Sequence, residues 1–356
     1  MMSMRHLTYA PFNADKDGEI HHLFYDYKFK DYQHKFMGVS KERMVRYLKK
    51  TLNEPGAQSI CMREGNQLVG LISLKSLPWM SNHFGFRMYA VTHLLAKGEN
   101  PLVHARLLRY VMEELPTVDF LDCRVAVNDV CSTHALEICG FRYVGAEIYL
   151  GQFLKAGAPP EPHPHFGIRP LVQSQDQDRV LAIAGETHTH NRFAYDPFIS
   201  EHAAKSLYQR LVANCFKHNQ FNVLAAHSGE TIGGFIISKL NPAFSQEVGF
   251  QCGSLDFIGV NPDIRSRGLG KALNQWALYH LAQKGVVYAA VRTMASNYAA
   301  LSLVHRTGFQ MTSTSLHFHK WVARPTVSLN VFPSFESIST KTLFSEGRPL
   351  SKVMGE

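Results

Sequence analysis

The sequence predicts a mixed α/β (α+β) fold written twice in tandem, each copy a mixed central sheet flanked by helices. Three repeats predict it. "EGNQLVGLISLK" (64–75) returns as "SGETIGGFIISK" (228–239), with Gly65 and Gly229, Gly70 and Gly234, and Lys75 and Lys239 all related by one constant offset. Both stretches read as hairpins, a glycine turn followed by alternating apolar residues. "HARLLRYVMEELPTVDFLDCRV" (104–125) runs beside "ALNQWALYHLAQKGVVYAAVRT" (272–293). Each carries apolar residues at helical spacing, a break at Pro116 or Gly285, and then a short β-rich run. "ALEICGFRYVGAEIYL" (135–150) pairs with "SLVHRTGFQMTSTSLHF" (302–318), Gly140 answering to Gly308 at a slightly longer offset.

Each copy then reads, in order, as helix, antiparallel hairpin, long strand, helix, strand, helix, strand. The junction "LKAGAPPEPHPHFGIRPL" is a linker, because closely spaced prolines continue neither a helix nor a central strand. The expected domains are 1–158 and 159–321. A tail over 322–356, rich in Ser, Thr, Pro and Lys, is either loose or a strap. A chain of 356 residues is too long for one ordinary core and comfortable for two.

Composition narrows the class. At 45% hydrophobic and 19% charged residues the chain is an ordinary globular one. No apolar run is long enough to span a bilayer and the N-terminus lacks a secretory pattern, so a cytoplasmic protein with no membrane partner is expected. The net charge of +8 is compatible with nucleic acid, but no basic tract or aromatic-basic ladder backs it, so no nucleic-acid partner is expected. A phosphorylated small molecule fits the dispersed positive charge. The six cysteines include no CxxC pair and read as buried thiols. The histidine clusters "EPHPHF", "THTHN" and "LHFHKW" lack metal-ligand spacing and read as surface and loop histidines, so no metal is expected. The oligomeric state is left open.

The most informative stretch is Arg265, Ser266, Arg267, Gly268, Leu269 and Gly270, at the mouth of a helix. A bland turn needs one glycine. Two glycines permit close backbone approach, the first-turn N–H groups have no intrahelical partner, and the helix dipole favours negative charge. Successive amides in such a loop form an anion-binding nest. The dinucleotide pattern GxGxxG and the P-loop pattern GxxxxGK[ST] are both absent, which argues against those phosphate ligands. The first copy offers only "KGENPLVH" (97–104) at this place.

Residues 265–270 fit [QR]-x-x-G-x-[GA], with "VNPDI" before them and "NYAALSLVHRTGF" (297–309) after. In this the chain resembles the GNAT superfamily of acyl-CoA N-acyltransferases, over roughly residues 20 to 320. "SLPWMSNHFGF", "FLDCRV", "HALEICGFRYV", "NRFAYDPFIS" and "STSLHFHKW" are similar to segments of two-copy nucleotide-amino-sugar acetyltransferases of the dTDP-fucosamine type. The resemblance implies a tandem duplicated GNAT fold with acetyl-CoA as co-substrate. It also implies a small-molecule amine acceptor carried on a nucleotide sugar.

The same resemblance implies roles. Ile258, Gly259 and Val260 would pair with the pantetheine arm, with a backbone N–H near Gly259 on the oxyanion. Residues 265–270 would cradle the pyrophosphate, and Asn297 would hydrogen-bond the pantetheine side. The family's thiolate-protonating tyrosine falls on Val304, a departure. Tyr298 and His305 are the nearest titratable candidates. Asp256 is the candidate base, sharing strand parity with Ile258 and Val260. Arg87, Arg192 and Tyr195 are candidate acceptor contacts in a pocket between the copies. Trp79, Phe84, Phe86 and Tyr89 read as core aromatics or as a wall of that pocket. The alternatives are an acyl-CoA-binding pseudoenzyme or scaffold, or a GNAT acting on a peptide or another small amine.

Overall fold

The computed structural model describes residues 7–13, 19–29, 31–114, 117–171, 174–187 and 191–322. These belong to one compact unit that ends at Ala323. The tail expected over 322–356 lies, apart from Val322, outside the described residues, as do Pro116 and the two histidines of "THTHN". No helix among the described residues is long and apolar enough to cross a membrane.

Among the described residues, twelve strands form the scaffold. In the first copy they are β1 (Leu7–Pro11), β2 (Ala57–Glu64), β3 (Gln67–Ser76), β4 (Met88–Ala96), β5 (Phe120–Ala126) and β6 (Arg142–Phe153). In the second they are β7 (Gly167–Pro170), β8 (Phe221–Ser228), β9 (Thr231–Leu240), β10 (Cys252–Val260), β11 (Tyr288–Met294) and β12 (Gln310–Trp321). All twelve lie in one sheet, in the order β1-β2-β3-β4-β5-β12-β6-β11-β10-β9-β8-β7.

That order contains an exchange. If each copy kept its last strand, β6 would lie beside β5 and β12 beside β11. Instead β12 pairs antiparallel with β5, from Ser315↔Ala126 to Trp321↔Phe120. β6 pairs antiparallel with β11, from Tyr288↔Phe153 to Met294↔Glu147. The two exchanged strands also pair with each other, Ser315 opposite Glu147. No unpaired strand edge is left at the seam, so neither copy's sheet is complete without the other.

Alternation along the strands sorts side chains onto two faces. On one face, Val91, Leu121, Val125 and Phe318 pack beneath the helices Pro101–Glu114 and Val130–Ile138. Leu150, Leu255, Leu273 and Val304 do the same with the helices Leu269–Gln283 and Tyr298–Arg306. The other face is covered in the first copy by the helices Ile20–Tyr25 and Lys41–Lys50, through Phe24, Met44 and Leu48 against Leu71. In the second copy Ser174–Thr187 and Glu201–Cys215 cover it, through Val180 and Val212 against Phe235. Local sequence explains these helices. In Lys41–Lys50 the Ser40 side chain accepts from the Arg43 N–H, and Met44, Val45 and Leu48 make the buried stripe. Phe84 and Phe86 pack in a further core cluster with Met88, Phe120, Phe193 and Trp321. On this second face, between the two sets of helices, the four central strands carry polar side chains instead.

Candidate active site

β10 is where the second copy opens. It pairs parallel with β11 only from Cys252↔Tyr288 to Leu255↔Val291. On its other side it stays paired with β9 to Val260↔Gly234, with a register shift between Leu255 and Phe257. Asp256 is the extra residue of that bulge. Its carboxylate accepts from the Ser254 hydroxyl at 2.7 Å and meets the Lys239 ammonium at 3.0 Å. A bulge bends its strand, so beyond Leu255 the chain parts from β11. A wedge is left between Phe257–Val260 and Arg292–Met294.

The bulge corrects the parity expected for Asp256. Leu255, Ile258 and Val260 all pack with the cluster under the helix Leu269–Gln283, which unbroken alternation forbids. Asp256 bonds Ser254 instead, and so lies on the opposite face from Ile258 and Val260. The physical reason is the inserted residue, which shifts every later position by one.

At the open end of β10 the chain makes a short turn, Pro262–Ile264, and enters the helix Leu269–Gln283. Ser266 has φ 65°, and it is the one non-glycine with positive φ among the described residues. Such a residue costs about 1–3 kcal/mol and marks a loop held for a purpose. Gly268 caps the helix at φ 83° with no side chain bonded to the first-turn amides. A Cβ on Gly268 would meet nothing within 4 Å, so the space above those amides is open. A Cβ on Gly270 would come within 3.6 Å of Leu303 and 3.8 Å of Val260, so helix, strand and Leu303 converge on a narrow groove. Arg265 Nε donates to the Val260 carbonyl at 3.3 Å, and His163 of the linker is 3.0 Å from the Arg267 carbonyl. Uncapped amides, open space and two arginines fit a phosphate-bearing co-substrate.

Asn297 caps the helix Tyr298–Arg306, its Oδ1 accepting from Ala300 N at 3.1 Å and its amide nitrogen taking no part in the cap. Val304 is buried in the apolar cluster of that helix. His305 is exposed and Tyr298 is 78% exposed, so neither side chain lies in the packed stripe that contains Val304.

Beside the wedge, on the face that carries Asp256, lies a polar seam that sequence reasoning misses. Glu147 of β6 meets His317 Nε2 at 3.4 Å, Arg124 at 3.5 Å and Arg292 at 3.9 Å. Arg124 also donates to the Tyr149 hydroxyl. Register places Arg124 opposite His317, Ser315 opposite Glu147, and Tyr149 opposite Arg292, all on one face. Burial would raise the Glu147 pKa, but His317, Arg292 and Arg124 hold it well below the usual carboxylate range. Burial pushes His317 down to about 4, against the pull of Glu147. The surface reading of "LHFHKW" is therefore corrected: His317 and His319 are fully buried, because the exchange makes β12 an interior strand.

Arg192 lies in the turn Arg192–Tyr195 and binds Asp122 of β5, with contacts of 2.6 and 3.0 Å. Burial opposes ionisation of Asp122, but Arg192 and the nearby histidines hold its carboxyl far below the usual range. His319 bonds Asp196 at 2.9 Å, and the Trp321 indole donates to the same carboxylate at 3.2 Å. The segment "NRFAYDPF" is thereby stapled across the seam. Tyr195 is half-exposed, bonded to Ser296 at 2.9 Å and close to Gly145. Arg87 is not brought to the wedge. It sits at the paired end of β4 and β5, its guanidinium bonded to Asp119 at 2.7 and 2.9 Å.

The open wedge ends at an uncapped helix N-terminus, a place for an extended co-substrate that carries phosphate. Residues 186–309 match the model of the acetyltransferase (GNAT) family. Over that stretch the second copy is an acetyltransferase domain of that family. It is 24% identical over 295 residues to the spore coat polysaccharide biosynthesis protein SpsD of Bacillus subtilis (strain 168), covering 80% of this chain and 96% of that protein. It is 28% identical over 152 residues to the mycothiol acetyltransferase of Saccharomonospora viridis, covering 42% of this chain and 48% of that one. Two solved structures share the duplicated fold, each at 14% identity. A GCN5-related N-acetyltransferase from Sphaerobacter thermophilus has a TM-score of 0.58, covering 92% of this chain and 99% of the other. A tandem GNAT protein from the clavulanic acid biosynthesis pathway has a TM-score of 0.51, covering 90% and 99%.

Proposed function

We propose that the protein is an acetyl-CoA-dependent N-acetyltransferase whose second copy acylates a primary amine, that of a nucleotide-linked amino-dideoxy sugar. One observation carries this reading. The uncapped loop 265–270 and the polar seam stand at opposite sides of the same wedge, the first suited to a pyrophosphate and the second to a hydroxylated amine. The relative SpsD, named for polysaccharide biosynthesis, supports a sugar acceptor.

In this reading Ile258, Gly259 and Val260 lend backbone groups to the pantetheine arm, residues 265–270 hold the pyrophosphate, and the Asn297 amide faces the arm. The amine enters from the seam, where Tyr195 and Glu147 lie and where Arg192 fixes the wall. It must shed a proton to attack the thioester carbon. Asp256 is the proposed base, acting from the acceptor face of the sheet. Attack forms the C–N bond, a backbone N–H next to Gly259 (Ile258 or Val260, which face away from the β9 ladder) stabilises the oxyanion, and collapse breaks the C–S bond. The thiolate leaves along the groove. Val304 donates no proton, so water supplies one, with exposed Tyr298 and His305 nearest in sequence.

The buried Val304 also favours a second reading, an acyl-CoA-binding pseudoenzyme or scaffold. Free-thiol release separates the two. Acetyl-CoA incubated with nucleotide-linked amino-dideoxy sugars should release thiol above the hydrolysis background. No release with any of a panel of such amines would leave the binding-only reading.

A further inference from the structure

A cavity of about 560 Å³ opens beside the seam on the first copy, and the acetyl-transfer chemistry does not use it. Its walls come from both copies. Lys28 and Phe29 follow the first helix, and Lys35 belongs to the helix Asp31–Phe36. Asn128 follows β5, Tyr149 is on β6, and Ser313 is on the exchanged β12. That volume is in the range of small-ligand sites, roughly 300–1,000 Å³.

Its position follows from the duplication. Glu147 and Ser315 are related by the same offset as Gly140 and Gly308, so they are counterparts in the two copies, and they pair directly. The approximate two-fold axis therefore passes between them. Across this axis the two acceptor regions are equivalent and meet. The second copy's region runs from the wedge to Glu147. The first copy's region is the cavity, at the end of β5. The first copy has the same wedge, since β4 pairs with β5 only to Val91↔Cys123 and carries a bulge at Thr92. It has no phosphate loop, so an acceptor region survives there without an acyl donor.

From β10 to β12 are three strand spacings, or roughly 14 Å. An amine seated at the wedge thus places a substituent about that far away in the cavity. Tyr149 bridges the two places, because it lines the cavity, accepts from Arg124 and stands opposite Arg292. Two lysines at the wall supply positive charge, the residue type that meets a phosphate as a point charge. Asn128 and Ser313 supply neutral polar groups.

We propose that this first-copy cavity binds the diphosphate end of the acceptor, so that one long substrate lies across the pseudo-two-fold axis with its amine in the second copy. The proposal rests on the sugar-nucleotide reading for its substrate, but binding can be tested without turnover.

Calorimetric titration of the full chain with dTDP should give one site per chain. Lys28→Glu with Lys35→Glu should weaken it at least tenfold and leave acetyl-CoA affinity unchanged. Asn128→Trp, which fills the mouth without altering charge, should weaken dTDP similarly. Wild-type dTDP affinity in both variants, or dTDP competing with acetyl-CoA, would overturn the proposal. In turnover, the double variant should raise KM for the sugar nucleotide at least tenfold and leave KM for the same amino sugar without its nucleotide unchanged. If no amino sugar is acetylated while dTDP still binds through the lysines, the substrate reading fails and the cavity assignment stands.

Discussion

The two copies share the device that opens a GNAT sheet and differ in everything that would fill it. Thr92 and Asp256, related by the same offset as Gly65 and Gly229, are the extra residues of matching bulges, and after each the strand parts from its parallel neighbour. Asp129 and Asn297, related by the offset of Gly140 and Gly308, cap matching helices. The helix entrances differ. In the first copy the Asn100 side chain accepts from the Leu102 amide at 3.0 Å, so that donor is already bonded. His104, one turn on, is buried and within electrostatic reach of Asp129. In the second copy Gly268 leaves the amides uncapped. The difference teaches that the wedge is a property of the fold, whereas the uncapped amides proposed to hold the donor are a property of the loop.

The largest expected effect comes from separating the copies. A fragment from residue 159 keeps β12 but loses β5 and β6, baring one edge of β11 and both sides of β12. We expect no folded monomer and no acetyl-CoA binding, with both restored by co-expressing residues 1–158. A monomeric fragment with the full chain's affinity would show that the exchange is dispensable.

Next in size is a matched pair of glycine substitutions. Gly98 and Gly268 have φ of 78° and 83°, and at neither would a Cβ meet an atom within 4 Å. Gly98→Glu and Gly268→Glu therefore carry similar backbone strain, about 1–2 kcal/mol. Only Gly268→Glu puts a carboxylate over the uncapped amides. It should lower acetyl-CoA affinity at least 100-fold, with Gly98→Glu near wild type and one site per chain. Equal losses would mean that strain, not charge, is being measured.

The duplication is legible in the sequence because a hairpin with its glycine and lysine is a local pattern that recurs intact at Gly65 and Gly229. The loop 265–270 is legible because the anion contacts proposed there are made by backbone, and glycines mark where backbone is exposed. The exchange is not. β6 and β12 are similar amphipathic strands, and either one can complete either sheet. Glu147, Arg124 and Arg292 look like isolated charges in apolar runs, because what joins them is pairing between strands far apart in sequence. Asp256 falls on the wrong face in a sequence reading because a period of two assumes no inserted residue. His317 reads as a surface residue because an alternating "LHFH" suggests an edge or a half-exposed strand.

His317 gives the third prediction. Its counterpart in the first copy, at the offset of Gly140 and Gly308, is Tyr149, so the imidazole is particular to the second copy's strand. Burial puts the folded His317 near 4, below an unfolded value of about 6.5. Between these values the unfolded chain binds more protons, so stability rises with pH there. The contribution is intact above about pH 6.5 and is lost as pH falls toward 4, roughly 3 kcal/mol in all. Urea unfolding at several pH values should show this slope, and His317→Gln should flatten it. An unchanged slope in the variant would assign the acid sensitivity to other groups.

The smallest effect tests the helix caps. Asn297 (φ −88°, ψ 70°) accepts from Ala300 N, and Asp129 (φ −92°, ψ 74°) accepts from Ser132 N, each at 3.1 Å. As caps the two are interchangeable, since both present an oxygen. As ligands they are not, because the amide has two N–H donors and the carboxylate has none. Asn297→Asp should therefore leave the melting temperature within about a degree while lowering acetyl-CoA affinity about tenfold, or 1.4 kcal/mol. That is the size of one hydrogen bond lost plus some repulsion. Asp129→Asn should keep the cap and create no second site, because the first copy still lacks the loop. If Asn297→Asp binds acetyl-CoA as wild type does, Asn297 is a cap and nothing more, and the arm is held by the strand alone.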